Sequence, residues 1–278
     1  MAHSLLKRHT MSERASSNRP GENDEQTGGR LHVLLADDSS FGQKVGKRFL
    51  EGLGCSVDVV DNGEAAVLRV CERHYDVVFM DCQMPGMDGY EASRQIRLVP
   101  ELAGLPIIAL TAERTPEARQ RCLDAGATDL VSKPYGAEVL DTVLQGLSRP
   151  VPATATPAPA ATPGDAFQSG EMWERFAGDV ELVGEILDLI DRDLPQYVAR
   201  LRRAVDDGDW AVVARLAHTI KGTAGEVAAV HLPGLAVSIE QAALASDRAA
   251  VSALVPIVEE AATDLLAALR TWRDEVKC

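Results

Sequence analysis

Between Leu31 and Ser132, short apolar runs alternate with amphipathic segments of helical length, and few folds accommodate that alternation. The runs Leu31–Ala36, Ser56–Val60, Asp76–Met80, Pro106–Leu110 and Thr128–Ser132 are bounded by turn residues and read as buried strands. Ser39 or Ser40 can cap a helix to about Leu53 that repeats Phe41, Val45, Phe49 and Leu50 at helical spacing and stops at Gly54. Asn62 caps a second helix through Ala66, Val67 and Val70, and a third runs from Tyr90 to Leu98. Thr115, with Pro116 at the first helical position, opens a fourth that ends near Ala125–Gly126; the fifth spans Ala137–Leu147. Consecutive strand–helix units predict an α/β half built on a five-stranded, doubly wound parallel sheet.

In such a sheet the carboxyl ends of the strands share one edge, where ligands bind. Here those ends carry polar groups. Asp37 and Asp38 follow the first run, Asp81 the third, Thr111 the fourth, and Lys133–Pro134 the fifth. The expected result is three carboxylates, a hydroxyl and an ammonium around one point. Acids crowded in this way raise each other's pKa unless a cation sits between them. Hard oxygen ligands with room for water suit Mg²⁺. The hydroxyl and ammonium are then free to meet an anion, most simply a phosphoryl group carried by Asp81.

Asp37–Asp38, the D-x-x-M-P-x-M-D-G run from Asp81 to Gly89, Thr111–Ala112 and Lys133–Pro134 together resemble the receiver domain of two-component response regulators, over about Arg30 to Arg149. The resemblance implies a flavodoxin-like fold and phosphoryl acceptance by Asp81. It implies Mg²⁺ held by Asp37, Asp38, Asp81 and the backbone carbonyl of Gln83, phosphoryl oxygens bound by Thr111 and Lys133, and a cis Lys133–Pro134 bond. Receivers commonly carry Tyr or Phe three residues before the lysine. Here that residue is Leu130, which implies a muted conformational response.

A length of 278 residues suggests two domains. Residues 1–29, rich in Ser, Arg, Asn, Glu and Gly, are expected to be a disordered tail before an α/β domain at 30–148. Residues 149–166 read as a Pro/Ala/Thr linker, and 167–278 as a second domain. A formal charge of −14 argues against a nucleic-acid partner. No apolar run approaches a membrane span, no secretory signal is visible, and a cytoplasmic location is expected. The five cysteines show no metal-like spacing and read as reduced thiols; Cys82, beside Asp81, is either redox-active or a packed thiol.

After Ala166 the pattern is helical throughout. Val183, Ile186, Leu187 and Ile190 lead into Leu194, Tyr197, Val198, Leu201 and Val205, with Pro195 expected to kink or split the segment. Asp209 caps a helix whose core face is Trp210, Val213, Ala217, Ile220, Ala224 and Val227. Two more helices follow, over Leu232–Ile239 and Val251–Trp272, and the 3-4-3-4 spacing predicts an antiparallel four-helix bundle. One residue round from the core face of the Asp209 helix lie Ala214, His218, Lys221, Gly222 and Gly225. Helix-interior glycines cost roughly 1 kcal/mol each relative to Ala, so this stripe needs a reason. Small neighbours would expose the His218 ring to another protein, and Lys221 can balance charge placed on it. On spacing alone, His218 reads equally well as a boundary residue. The run L-A-H-T-I-K-G-T-A-G, however, is similar to the histidine phosphotransfer (HPt) family across Phe167 to Val276. The similarity implies phosphorylation of His218, supported by Lys221, Gly222 and Gly225. Family members often carry Asn after this last glycine and Gly two residues further. Glu226 and Ala228 stand there instead, which implies weaker phosphate affinity or a shifted choice of partner.

Together the resemblances imply a phosphorelay intermediate like the C-terminal part of a hybrid histidine kinase. A histidine kinase donates to Asp81, and His218 passes the group to or from the receiver of a downstream response regulator. No ATP-binding loop or histidine-kinase box is visible, so transfer without a kinase domain is expected. Two other classes are an aspartyl-phosphate phosphatase and a non-catalytic interaction module. The first needs a nucleophile on the first strand with an acid two residues on, whereas Asp37 and Asp38 are adjacent; the second sits badly with a complete set of polar positions. The stretch Ser148 to Asp165 would span roughly 23 Å as a coil and about 56 Å as polyproline II. Either length lets Asp81 and His218 of one chain meet, with Phe41, Val45, Pro134 and Tyr135 as the expected docking surface.

Overall fold

The computed structural model describes residues 30–147, 166–176 and 178–276. The expected tail and nearly all of the expected linker lie outside these residues; Ala166, expected as the last linker residue, accepts a hydrogen bond from the Val230 amide at 3.0 Å.

Five parallel strands, β1 (His32–Ala36), β2 (Ser56–Val60), β3 (Val77–Asp81), β4 (Ile107–Thr111) and β5 (Asp129–Ser132), form one sheet in the order β2-β1-β3-β4-β5. The helices α1 (Ser40–Gly52), α2 (Gly63–Glu72), α3 (Gly89–Arg97), α4 (Pro116–Asp124) and α5 (Ala137–Gly146) connect and follow them. The caps act as the sequence suggests: Ser39, Asn62 and Thr115 accept from the backbone amides of Gly42, Ala65 and Ala118. Asp88 caps α3 in the same way through the Glu91 amide. Strand side chains alternate between faces. On one face Val33, Leu35, Val77, Phe79, Ile108 and Leu110 pack with Phe41, Val45 and Leu140 of α1 and α5. On the other, Leu34, Val78, Met80 and Ile107 pack with Ala66, Val70, Ala92 and Ile96 of α2 and α3. With both faces covered, the three inner strands read as continuous apolar runs.

The helical half opens with a short helix the sequence pattern did not reveal, α6 (Ser169–Arg175). Next come α7 (Val180–Asp207), α8 (Trp210–Glu226), α9 (Leu232–Leu244) and α10 (Arg248–Val276). Each of these four packs on the next, and α10 closes on α7, giving a four-helix bundle. Pro195 does not split α7, which runs through it as one helix. The core face of α8 is as expected, except that Trp210 is only partly buried.

The two halves touch along α1 and α7. Ser40 donates to Asp193 at 2.8 Å, Lys44 pairs with Glu185 at 2.7 Å, and Arg48 pairs with Asp179 at 3.0 Å. Beneath these contacts the rings of Phe49 and Phe176 lie 6.1 Å apart.

Candidate functional site

The carboxyl edge of the sheet gathers the expected polar groups. Asp37 and Asp38 follow β1, Asp81 closes β3, Thr111 closes β4, and Lys133 follows β5 and is joined to Pro134 by a cis bond. Carboxylate oxygens of Asp37, Asp38 and Asp81 lie within 4.8 Å of one another. Lys133 Nζ donates to Asp37 Oδ2 at 2.5 Å and to Asp81 Oδ2 at 2.7 Å. The other oxygens of these acids accept backbone amides: Asp37 Oδ1 from Ser39 at 3.0 Å, and Asp81 Oδ1 from Gln83 at 3.1 Å. Thr111 is buried, and its hydroxyl accepts from the Glu113 amide at 3.1 Å. Two glycines make the edge this tight. A Cβ on Gly42 would strike the Asp37 carboxylate, and one on Gly89 would strike the Asp81 carbonyl oxygen.

Burial pushes the Asp37 carboxyl up, as does Asp81, against the pull of Lys133. Asp38 is also raised, by loss of hydration and then by Asp81 and Asp37, although its side chain reaches solvent, which tempers the first effect. Burial alone would lower Lys133, but Asp37 and Asp81 outweigh it and hold the ammonium charged. Three carboxylates against one ammonium leave an excess of negative charge. That excess and the all-oxygen donor set fit a hard divalent cation. Asp81, at 8% exposure, is the acid of the edge that closes a central strand with one oxygen bound to Lys133. Beside it, Cys82 turns into the core: its Sγ lies 3.7 Å from that of Cys122, a contact between packed thiols.

A second centre lies on α8. His218 Nδ1 is 2.8 Å from Glu240 Oε1, and Lys221 Nζ is 3.1 Å from Nδ1 and 3.2 Å from Glu240 Oε2. Nδ1 cannot both donate to the carboxylate and accept from the ammonium. The shorter contact to an ionised acceptor decides the matter: Nδ1–H donates to Glu240, Lys221 pairs with the second carboxylate oxygen, and Nε2 keeps its lone pair. Burial pushes Glu240 up, but His218 and Lys221 outweigh it and hold the carboxyl below its ordinary range. The arrangement presents a nucleophilic Nε2, with a carboxylate behind the ring to stabilise an imidazolium.

Around this centre the expected stripe holds in part. A Cβ on Gly222 or Gly225 would meet nothing within 4 Å, so the packing of this chain does not demand those glycines. Ala214 of this stripe is buried, and the His218 side chain is 18% exposed. Glu240 escaped the sequence reading. The signal was present: Ala236 and Ala243 are core residues of α9, and Glu240 stands one turn from each, where an acid needs a partner. Of the remaining histidines, His32 stacks on Tyr75 and bonds the His74 carbonyl, and His231 opens α9 without capping it.

Known proteins share both centres' segments. Residues 33–145 match the response regulator receiver domain family, and residues 185–272 match the Hpt domain family. The virulence sensor protein BvgS of Bordetella parapertussis is 29% identical over 259 residues, 88% of this chain and 21% of that protein. The sensory/regulatory protein RpfC of Xanthomonas campestris pv. campestris is 30% identical over 71% of this chain and 28% of its own length. The aerobic respiration control sensor protein ArcB of Escherichia coli is 30% identical over 76% of this chain, again 28% of its own length. The chain thus spans about a fifth to just over a quarter of these relatives. Among the described residues, no helix is long and apolar enough to cross a membrane.

Proposed function

The chain belongs to the response regulator receiver family over residues 33–145 and to the Hpt family over residues 185–272, and from that premise we propose that it is a phosphorelay intermediate. One observation carries the reading: a single chain holds a carboxylate braced by an ammonium at a sheet edge, and an imidazole whose Nδ1 is tied to a carboxylate.

In the first step a carboxylate oxygen of Asp81 attacks the phosphorus of a phosphohistidine on a histidine kinase. The P–N bond breaks, and a P–O bond forms. Lys133 and the Thr111 hydroxyl hold the phosphoryl oxygens as charge builds on them. Asp37, Asp38, Asp81 and the Gln83 carbonyl would hold Mg²⁺, which neutralises phosphoryl charge when bound. In the second step His218 Nε2 attacks the phosphorus on Asp81 or on another receiver. The P–O bond breaks, the aspartate regains its charge, and Glu240 stabilises the cationic ring. A downstream response regulator then takes the group from His218, in the cytoplasm; with the same residues the flow also runs in reverse.

Acetyl phosphate with Mg²⁺ tests this reading. An alkali-labile acyl phosphate is expected at Asp81 and an acid-labile phosphoramidate at His218. Asp81→Asn should abolish the first while leaving the fold intact, as read by circular dichroism. Acyl phosphate persisting on the receiver segment of that variant would refute the assignment.

A further inference from the structure

We propose that the α1–α7 contact is a parking surface: it holds the HPt bundle on its own receiver with the Glu226 end of α8, not His218, toward the phosphoacceptor edge, so that His218 takes a phosphoryl group from Asp81 of the same chain only once the junction opens. The proposal rests on the phosphorelay reading and adds its regulation.

Ser40, Lys44 and Arg48 are spaced four apart and form one stripe of α1. Their partners run the opposite way along the bundle: Asp193, then Glu185, then Glu181 and Asp179. A basic stripe therefore lies antiparallel on an acidic one. Farther along, Tyr197 on α7 lies near Ser40 and feels the charge of Asp38, so α7 reaches the metal-binding side of the receiver edge.

The end of α8 is fixed at the same junction. Arg175 donates to the carbonyls of Gly225 and Glu226 at 2.7 and 2.8 Å. The Glu226 side chain is buried, its Oε2 has no hydrogen-bond partner, and the charges of Lys133 and Asp37 act on it from across the junction. Tyr135, next to Pro134, is buried there too. His218 lies two turns back along α8, roughly 12 Å by helical rise and about 80° round the axis. Its bond to Glu240 turns it toward α9, and α9 packs on α8 and α10 while the receiver contact is made by α7. Glu226 thus stands at the end of α8 on which Lys133 of the phosphoacceptor edge acts.

Opening the contact breaks partly exposed ion pairs, which hold weakly, and parts the Phe49 and Phe176 rings beneath them. A cavity of about 480 Å³ separates parts of the two domains, bordered by Arg48, Phe49, Leu53, Ala137, Phe176 and Leu182. A phosphoryl group on Asp81 adds negative charge beside Lys133, whose charge acts on Glu226, and this opposes docking.

The test uses the whole chain. Before any phosphoryl donor is added, a zero-length carbodiimide should join Lys44 to Glu185 in the wild type, as read by peptide mass spectrometry. Lys44→Glu with Arg48→Glu should remove that crosslink and speed the passage of label from Asp81 to His218 several-fold. Adding Glu185→Lys and Asp179→Arg should restore both the crosslink and the slower rate; none of these residues touches either phosphoryl site. Absence of the crosslink in the wild type, or equal transfer rates in the wild type and the charge-reversed chain, overturns the proposal. Failure of Asp81 to label in any chain instead overturns the phosphorelay reading itself, and the parking proposal with it, whatever the crosslink shows.

Discussion

Glu240 is the residue whose role is least apparent from its position in the chain. If its carboxylate holds Nδ1–H and stabilises the ring cation, Glu240→Gln keeps the shape and loses the charge. Hydrogen bonds to charged groups contribute about 1.5–3 kcal/mol, so transfer to His218 should slow about 10- to 100-fold. Quenched-flow labelling measures the rate, and ¹⁵N shifts of the His218 ring report whether the Nδ1–H tautomer is lost with it. An unchanged rate with a changed tautomer would leave Glu240 as a packing residue.

Glu226 makes a different prediction at the same scale. Burial raises its carboxyl to about 7 from an ordinary 4.5, so the folded protein holds a proton that the unfolded chain releases. The stability associated with that proton is fully present below about pH 4.5 and is lost as pH rises through about 7. Glu226→Gln is neutral at every pH and should be more stable than the wild type at pH 8, by about 3 kcal/mol, the cost of ionising a carboxyl raised from 4.5 to about 7. At pH 5 the two should be nearly equal. Thermal unfolding at both values decides it; no gain at pH 8 would mean the carboxylate finds solvent.

Among the elements, β5 limits how the receiver switches. Leu130 packs with Cys82, Ala109 and Cys122, an apolar contact with no ring to rotate when Thr111 moves. Backbone chemical-shift changes on adding beryllofluoride with Mg²⁺ should therefore stay near Asp81 and Thr111. Large shifts in α4 and β5 would contradict that. Helix caps were legible because each is a local bond: Asn62 to the Ala65 amide, Thr115 to Ala118, Asp209 to Val212. Pro195 does not end α7. Proline is costly inside a helix, yet Leu189, Ile190, Leu194 and Leu201 on either side are buried in the bundle, and that packing outweighs the lost hydrogen bond.

Among the described residues, the largest-scale feature is the junction where Lys44 and Arg48 of α1 pair with Glu185 and Asp179. Salt near 1 M screens exposed charges beyond about 3 Å. The radius of gyration by small-angle X-ray scattering should rise between low salt and 1 M in the wild type, and stay constant and larger in Lys44→Glu/Arg48→Glu. A wild type insensitive to salt would show that Phe49 and Phe176 hold the junction without the ion pairs.

The sequence by itself determined the parallel sheet, the helical bundle and the residues at the sheet edge. These follow from periodicity, caps and polar strand ends, which depend on neighbours a few residues away. The edge was readable as a site because parallel strands bring their carboxyl ends together whatever the helices do. Only the tertiary structure decided that Glu240 reaches His218 and that the bundle turns Glu226 toward Lys133. Those meetings depend on how each helix is rotated about its axis and on which faces bury against each other. Such choices are made by the whole core at once, and spacing along the chain does not encode them one residue at a time.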